Sequence, residues 1–197
     1  MRGNMEVRIL RDNEMIHASG LSRYVFDNCL RERMEFSQSI GFIEDYLKYE
    51  NLTSLVHEGK LTLWGVFEQE QCVAISGLQS DGMITLLYVL PQCFRRGYGR
   101  LLLQTMKEYA KTAYGMERIM VNATPAWTAT YFIRNGFTYQ QKPANMHVPY
   151  ITLYADQSNT TNYPNKKVSW PVLIGAGVGC FLFATIICIA FLISYIM

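Results

Sequence analysis

The sequence predicts one α+β domain built around a mixed sheet, followed by one transmembrane helix. The 197 residues divide into a charged part and a terminal run, residues 168–197, that contains no Asp, Glu, Lys or Arg. In the charged part, strand-like and helix-like periodicities follow each other in the order strand, helices, strands, helix, strand, helix, strands. A segment rich in Asn, Thr and Ser separates the two parts. We therefore divide the chain into a domain over residues 1–155, a polar linker over 156–167 and a membrane segment over 168–197.

The first half of the domain is predicted to contain one strand, two helices and a hairpin. Residues 5–10 alternate as a strand does, and Asp12 is the expected N-cap of a helix whose apolar residues recur at helical spacing. A second helix is expected over 42–57, where a glycine follows. Residues 61–67 and 72–78 then form two strands joined by a polar turn, which predicts a hairpin.

The second half is predicted to begin with a buried strand. Residues 83–90 are almost wholly apolar, as expected for a strand covered on both faces. A loop with two glycines follows, and then an amphipathic helix over 99–114. The remaining elements are a strand over 118–122, a short helix that starts at Pro125, and strands over 137–140 and 147–154.

The composition excludes several classes of protein. Apolar residues make up 50% of the chain and aromatic residues 13%, which excludes intrinsic disorder. The formal net charge is only +2, so no nucleic acid is expected as a partner. Cys29, Cys72 and Cys93 lack CxxC spacing, so we expect neither a disulfide framework nor a metal site in the domain.

The terminal run predicts a transmembrane helix. As a helix, the 26 residues 172–197 would be about 39 Å long, enough to cross a hydrocarbon core of about 30 Å. Lys166 and Lys167 precede the run and no charge follows it, which places the domain in the cytoplasm by the positive-inside tendency. The N-terminus shows no signal peptide, so a tail-anchored protein is expected. Gly175 and Gly179 form a GxxxG pair that can support a homodimer.

The junction between the buried strand and the amphipathic helix has the features of a phosphate site. The residues there are Arg95, Arg96, Gly97, Tyr98, Gly99 and Arg100. The first amides of a helix lack internal partners and carry the positive end of its dipole, and glycines let a ligand approach the backbone. On their own the two glycines are equally compatible with a simple tight turn. Neither the GxGxxG motif nor the P-loop motif is present.

At this junction the sequence resembles a known family. The stretch LLYVLPQCFRRGYGRLLLQTMKEYA is similar to the acetyl-CoA signature of GNAT-superfamily N-acetyltransferases. The stretch YGMERIMVNATPAWTATYFIRNGF resembles a second block of that family, in the right order and at the right separation. One position departs from the signature, because Phe94 stands where Gln or Arg is usual. The family's loop contacts are mainly through backbone amides, so we expect cofactor binding to survive, with Arg95 and Arg96 supplying charge.

The resemblance implies a fold, a cosubstrate and binding roles. The fold would be a GNAT-like domain with a mixed, mostly antiparallel sheet flanked by helices, and the cosubstrate would be acetyl-CoA. Backbone groups of Tyr88, Val89 and Leu90 would pair with the pantetheine arm, as an added strand does. Amides of residues 95–100 would hold the pyrophosphate, and Asn122 matches a position that contacts the cofactor.

The resemblance also implies a catalytic residue. Tyr131 matches a tyrosine that lies near the thioester sulfur and protonates the leaving thiolate. A phenol suits this role because it is a donor with a pKa near that of a thiol. Two alternatives stay open: Tyr131 as a core aromatic residue, and a register in which Phe132 occupies this place.

The general base is not determined by the sequence. Some family members carry a carboxylate where this chain has Met83. His147 is one candidate, and a base that acts through water is another. The nearby acidic residues are expected to be solvated turn residues: Asp81, Glu68 and Glu70.

The predicted function is an acetyl-CoA-dependent N-acetyltransferase in which an amine attacks the thioester directly. No Cys or Ser lies in a recognisable nucleophile setting. The acceptor amine, a small molecule or a protein, should be selected by residues 23–59 and 140–147, whose charges are mixed. The alternative is a membrane-tethered acyl-CoA-binding or scaffold module without turnover, because a fold alone does not establish activity.

Overall fold

A seven-stranded sheet with helices on both faces forms the domain. The computed structural model describes residues 5–34, 36–142 and 148–157. The strands are β1 (Met5–Ile9), β2 (Leu61–Glu68), β3 (Gln71–Gln79), β4 (Met83–Val89), β5 (Arg118–Ala123), β6 (Thr138–Tyr139) and β7 (Ile151–Asp156). The helices are α1 (Met15–Val25), α2 (Ser37–Tyr46), α3 (Tyr49–His57), α4 (Tyr98–Tyr114) and α5 (Ala129–Arg134). The predicted α+β fold and its order of elements are confirmed.

The sheet is antiparallel everywhere except at its centre. Its strand order is β1-β2-β3-β4-β5-β7-β6, and only the neighbours β4 and β5 run parallel. These two strands pair only at Met83 with Met120 and at Ile84 with Val121, whereas β5 pairs with β7 along its whole length. The predicted mixed, mostly antiparallel sheet is therefore confirmed, and it contains an opening beyond Ile84.

Each face of the sheet has its own apolar core. On one face, α1 buries Met15, Ala18 and Val25 against residues of β2, β3 and β4. On the other face, α4 buries Leu102 and Met106 against the apolar side chains that the strands direct away from α1. The two helices thus lie on opposite faces of the same strands, and β4 is covered on both sides as its apolar sequence predicts.

The start of the first helix differs from the prediction. Asp12 does not cap α1, because a short 3₁₀ turn over Asp12–Glu14 precedes it. The carboxylate of Glu14 closes this turn instead: it accepts a hydrogen bond from the Arg11 amide at 2.8 Å and two from the Arg8 guanidinium at 2.6 Å. Glu14, and not Asp12, is the N-cap residue of α1, and its side chain makes no capping hydrogen bond to that helix.

The helix predicted over residues 42–57 is two helices. Lys48 has an extended backbone, with φ −61° and ψ 142°, and separates α2 from α3. Leu47, just before it, is buried, and its carbonyl accepts a hydrogen bond of 2.7 Å from the Ser19 hydroxyl on α1. A tertiary contact therefore ends α2, and the periodicity of the sequence does not reveal such a contact.

The C-terminal part of the domain also differs in detail. Asp156 was assigned to the linker but is the last residue of β7, where it accepts a hydrogen bond of 2.7 Å from Arg118 on β5. Gln157 is also described: it is buried, and its backbone amide donates to the Glu117 carbonyl at 2.7 Å.

The segment with His147, linker residues 158–167 and the predicted membrane segment, including Gly175 and Gly179, lie outside the described residues. Within the part that is described, none of the helices has the length and apolarity that a membrane crossing requires.

The Arg8–Glu14 pair should make stability depend on pH. Hydrogen bonds from Arg8 lower the pKa of Glu14 from 4.5 to about 2. The ionised carboxylate therefore stabilises the folded state above the unfolded-state pKa, and this stabilisation is lost as pH falls towards 2. We expect Glu14→Gln to lower the free energy of unfolding by about 1.5–3 kcal/mol at neutral pH, measured by urea denaturation.

Glu6→Gln is the matched control. Glu6 also contacts Arg8, at 3.4 Å, but it is 61% exposed, and exposed pairs contribute little. The difference between wild type and Glu14→Gln should shrink as pH falls towards 2. A loss of equal size in both variants, or one that persists at low pH, would contradict the role given to Glu14.

Candidate active site

A cavity of about 990 Å³ lies where β4 and β5 separate. Its walls come from the residues that follow α1, from β4 and β5, from the first turn of α4, and from α5 with the turn before it. A cavity of this size and mixed polarity is typical of small-molecule and cofactor sites.

One wall of the cavity is the open edge of β4. The Leu90 amide donates to the Val73 carbonyl of β3 at 2.9 Å. Because successive residues of a strand present their backbone groups to opposite sides, Val89 presents its groups to the opening. Tyr88 and Val89 line the cavity, whereas Leu90 lies outside it with its amide committed to the sheet. An extended ligand can pair with this edge as an added strand does.

A second wall is the N-terminus of α4. Gly97 is the N-cap residue with φ 88°, and no side chain donates or accepts a capping hydrogen bond there. Arg95 also has a positive φ, 61°, which is unusual for a residue with a side chain and is often found at ligand sites. The amides of the first turn, at Tyr98 and Gly99, therefore remain available for an anion.

Arg96 does not face the cavity. Its guanidinium donates to the Glu68 carboxylate at 3.1 Å, and the Tyr98 hydroxyl donates to the same carboxylate. Glu68 is thus not the solvated turn residue that the sequence suggested, because it ties the β2–β3 hairpin to the loop before α4. Of the charges expected near the cofactor, Arg95 and Arg100 line the cavity.

Tyr131 projects from α5 to the first turn of α4. A Cβ atom placed on Gly99 would lie 2.5 Å from the Tyr131 hydroxyl oxygen, so a larger residue at this position would require the Tyr131 side chain to shift. Phe132 is buried instead, with its ring 5.5 Å from that of Phe137. Of the two registers left open by the sequence, the structure places the Tyr131 hydroxyl at the cavity.

The environment of Tyr131 keeps its phenol protonated. Burial raises the pKa of Tyr131 above its ordinary value of 10.0, and the nearby Arg100 only partly opposes this shift. At neutral pH the hydroxyl is therefore a proton donor.

Asn122 lies on β5 at the opposite side of the cavity. Its side-chain oxygen accepts a hydrogen bond of 2.8 Å from the Thr152 hydroxyl on β7. This contact fixes the orientation of the amide and leaves its N–H groups to face the cavity, where a donor can contact a cofactor carbonyl.

The described residues that line the cavity include no Asp, Glu or His. Asp81 accepts a hydrogen bond of 3.0 Å from the Met83 amide in the turn before β4, and Glu70 lies in the hairpin turn with φ 68°. His147 lies outside the described residues, so its candidacy as a base stays a prediction.

Two cavity residues were missed by the sequence analysis. Arg33 follows α1, and Trp127 lies in the turn before α5; the Arg33 guanidinium carbon is 5.9 Å from the centre of the Trp127 ring. Arg33 falls within the region expected to select the acceptor, but nothing in the sequence distinguishes it from Arg31. Trp127 stands four residues before Tyr131, a spacing that puts two residues on one side of a helical turn.

The sequence of the chain matches the family model of the acetyltransferase (GNAT) domain over residues 28–148. The chain therefore belongs to the GNAT acetyltransferase family. This family membership confirms the predictions of an N-acetyltransferase and of acetyl-CoA as its cosubstrate. No curated protein sequence matched the chain.

Solved structures with the same fold agree with the family match. A GCN5-related N-acetyltransferase from Rhodopseudomonas palustris superposes with a TM-score of 0.65 at 16% identity, over 79% of this chain and 98% of the other. The PaiA N-acetyltransferase from Thermoplasma acidophilum, in complex with coenzyme A, gives 0.61 at 13% identity, over 78% and 99%. A variant of the SpeG spermidine N-acetyltransferase from Vibrio cholerae gives 0.55 at 16%, over 78% and 94%. At these identities the likeness shows the fold alone.

The contact between Gly99 and Tyr131 predicts a coupled pair of mutations. Gly99→Ala should push the Tyr131 hydroxyl out of place and lower kcat by about 100-fold, since small misplacements at a reacting centre are costly. In a Tyr131→Phe background the clashing oxygen is absent, so the same alanine should cost much less. Acetyl-transfer kinetics of the four proteins of this double-mutant cycle measure the coupling.

Gly20→Ala is the control for this cycle, because Gly20 lies in a helix with open space around it. It should leave kcat unchanged in both backgrounds. Strictly multiplicative effects of Gly99→Ala and Tyr131→Phe would show that the two residues do not act through their contact.

Proposed function

We propose that the protein transfers the acetyl group of acetyl-CoA directly to an amine, with Tyr131 as the acid that protonates the leaving thiolate. The observation that carries this proposal is that one cavity joins the open edge of β4, the free amides of α4 and the Tyr131 hydroxyl. These are the three features that a thioester attached to a phosphate-bearing arm requires: a backbone edge, an anion site and a proton donor.

The cofactor-binding roles are proposed for the residues that line the cavity. Val89 would pair with the pantetheine amides, and the first turn of α4 would hold the pyrophosphate with help from Arg95 and Arg100. Asn122 would donate to a carbonyl of the arm. Phe94, where the family usually has Gln or Arg, lines the cavity and is half exposed. Its side chain has no polar atom, so it takes no hydrogen-bonding role there.

The transfer needs no covalent enzyme intermediate. The amine nitrogen forms a bond with the acetyl carbon, the carbon–sulfur bond breaks, and the sulfur takes the proton of Tyr131, which then regains a proton from water. The proton that the amine gives up passes to water, since the described cavity lining offers no carboxylate or imidazole. Cys93 lines the cavity but is only 4% exposed, and the direct transfer assigns it no role.

The membrane anchor is a second part of the proposal. Residues 168–197 carry no charge, and Lys166 and Lys167 stand immediately before them. This pattern supports a single span at the C-terminus with the catalytic domain in the cytoplasm, where acetyl-CoA is used. Dimerisation through Gly175 and Gly179 stays a prediction.

Tyr131→Phe tests the catalytic role. It removes the proton donor and keeps the ring, so turnover should fall by about 10²–10⁴-fold while the affinity for coenzyme A changes little. Thiol release from acetyl-CoA with a panel of amines measures turnover, and calorimetry measures binding. Tyr24→Phe, at an exposed position on α1, is the control and should leave both quantities unchanged.

The pH profile of the same proteins provides a second readout. Wild-type turnover should rise with pH as the acceptor amine loses its proton, without a fall below about pH 10, because burial raises the pKa of Tyr131.

Unaltered turnover of Tyr131→Phe would assign the proton to another donor. Binding of coenzyme A without turnover of any amine would favour the acyl-CoA-binding module instead.

Removal of the terminal run tests the anchor. We expect a chain that ends at Lys167 to stay in the soluble fraction with full activity, while the full-length protein sediments with membranes. A full-length control with Ile186→Arg and Ile189→Arg should behave like the shortened chain, because each central arginine disfavours insertion by about 2.5–3.5 kcal/mol. Protease that digests the domain from outside intact cells would contradict the proposed topology.

A further inference from the structure

We infer that the acceptor amine carries a carboxylate, and that Arg33 binds this carboxylate. The inference rests on the proposed function, since it names the class of acceptor that enters the same cavity. Three observations support it: the place of Arg33 in the cavity, its lack of an acidic partner among the described residues, and the charge of the cavity lining.

Arg33 lies on the cavity wall beside Trp127, which is in the turn before α5, and not at the start of α4. It ends a 3₁₀ turn, Arg31–Arg33, that follows α1 on one face of the sheet, whereas Arg95 and Arg100 flank the start of α4 on the other face. The pyrophosphate of the cosubstrate would occupy the α4 end. Arg33 is therefore placed to meet the second substrate, which must approach the thioester from elsewhere.

The charge of Arg33 is not neutralised by its described neighbours. Arg31, two residues earlier, pairs with Asp27 and Glu44, and Arg23 pairs with the same two carboxylates. No ion pair joins Arg33 to a carboxylate of the described residues. The carbon of its guanidinium lies 5.9 Å from the centre of the Trp127 ring, within the range of a cation–π contact. The planar fork of donors of an arginine matches a carboxylate with two parallel hydrogen bonds.

The arginines of the cavity lining disfavour polycations. The phosphates of the cosubstrate would pair with Arg95 and Arg100, so Arg33 and Arg134 are the remaining positive charges of the described lining, which contains no acidic residue. A polyamine would bring several positive charges into this field, whereas a carboxylate next to the amine offsets the positive charge. The field therefore favours acceptors that are zwitterionic or anionic.

A smaller cavity of about 150 Å³ adjoins Arg33 and Trp127. Its other walls are mostly apolar, with Met34, Phe36 and Val148 among them. An acceptor that places its carboxylate on Arg33 can direct an apolar group into this space. The class that fits best is therefore an amino acid, or a compound that resembles one, with an apolar side chain.

Matched acceptors test this inference. Phenylalanine and leucine are each compared with their amides, which lack only the carboxylate charge, and spermidine represents the polycations. The measured quantity is the ratio of kcat/KM for the acid to kcat/KM for its amide, in wild type, Arg33→Met, Arg33→Lys and Arg31→Met. The intrinsic difference in amine basicity is the same for all four proteins, so a change in the ratio reports on the side chain.

We expect Arg33→Met to lower this ratio by about 10- to 100-fold, mainly through KM for the acid, because a charge-assisted hydrogen bond is lost. Arg33→Lys should retain part of the selectivity, since it keeps the charge without the fork. Arg31→Met removes the same charge from the same turn outside the cavity, and it should leave the ratio within about twofold.

Two results would overturn the inference while leaving the proposed function intact. One is an unchanged ratio in Arg33→Met. The other is a wild-type enzyme that acetylates spermidine or the amides but none of the carboxylate-bearing acceptors. Failure of the proposed function is a different result: the wild-type protein would bind coenzyme A and acetylate no amine at all, and the inference would fail with it.

Discussion

The short parallel pairing of β4 with β5 is the constraint on which the site depends. Each of these strands is held firmly on its other side, β4 by β3 up to Val89 and β5 by β7 along its whole length. Because both halves of the sheet are fixed, the strands cannot close the gap beyond Ile84. The backbone groups of β4 that face the gap have no strand partner, and such groups need one when water is excluded. A ligand with its own amides supplies that partner.

The elements around the gap are placed by the same constraint. The chain leaves β4 through the Arg95–Gly97 loop, so α4 begins at the edge of the opening. Helix α5 then directs Tyr131 towards Gly99, where the absence of a side chain allows the hydroxyl to approach. The proposed proton donor, Tyr131, is thus next to the proposed anion site at the start of α4. This close approach depends on the small size of Gly99.

The sequence predicts the local features of this site better than its long-range ones. Helix α4 and strand β4 have strong periodicity, and the glycine loop between them is continuous in sequence, so this end of the cavity could be located from the sequence, while its role in binding phosphate stays a proposal. Glu68 was misinterpreted because its partners lie beyond two further strands: Arg96 in the loop before α4 and Tyr98 in the first turn of that helix. The break at Lys48 was missed for a similar reason, since the Ser19 contact that ends α2 is tertiary.

The acceptor end of the cavity was the least predictable part. Arg33 and Trp127 are far apart in sequence, and each is unremarkable in its own segment. The pairing of Arg23 and Arg31 with acidic neighbours distinguishes Arg33 from them, and this difference exists only in the folded chain. Where a site is built from several segments, the side chains that can bind the charge of a ligand are those that are not already paired with a charge of the protein. The sequence alone does not show which side chains these are.

The arginines of the cavity also suggest how the proposed reaction can proceed although no acidic residue is present among its described lining residues to act as a base. An amine must lose a proton before it attacks, and an unpaired carboxylate beside it would favour the charged ammonium form. The carboxylate of the proposed acceptor has less of this effect once Arg33 neutralises it. Positive charges nearby, together with removal from water, lower the pKa of an ammonium group and raise the fraction of free amine at neutral pH. In the proposed mechanism, the field that selects a carboxylate-bearing acceptor therefore also helps to deprotonate it. Water suffices as the proton acceptor because the surrounding charge, rather than a basic side chain, makes the ammonium form unfavourable.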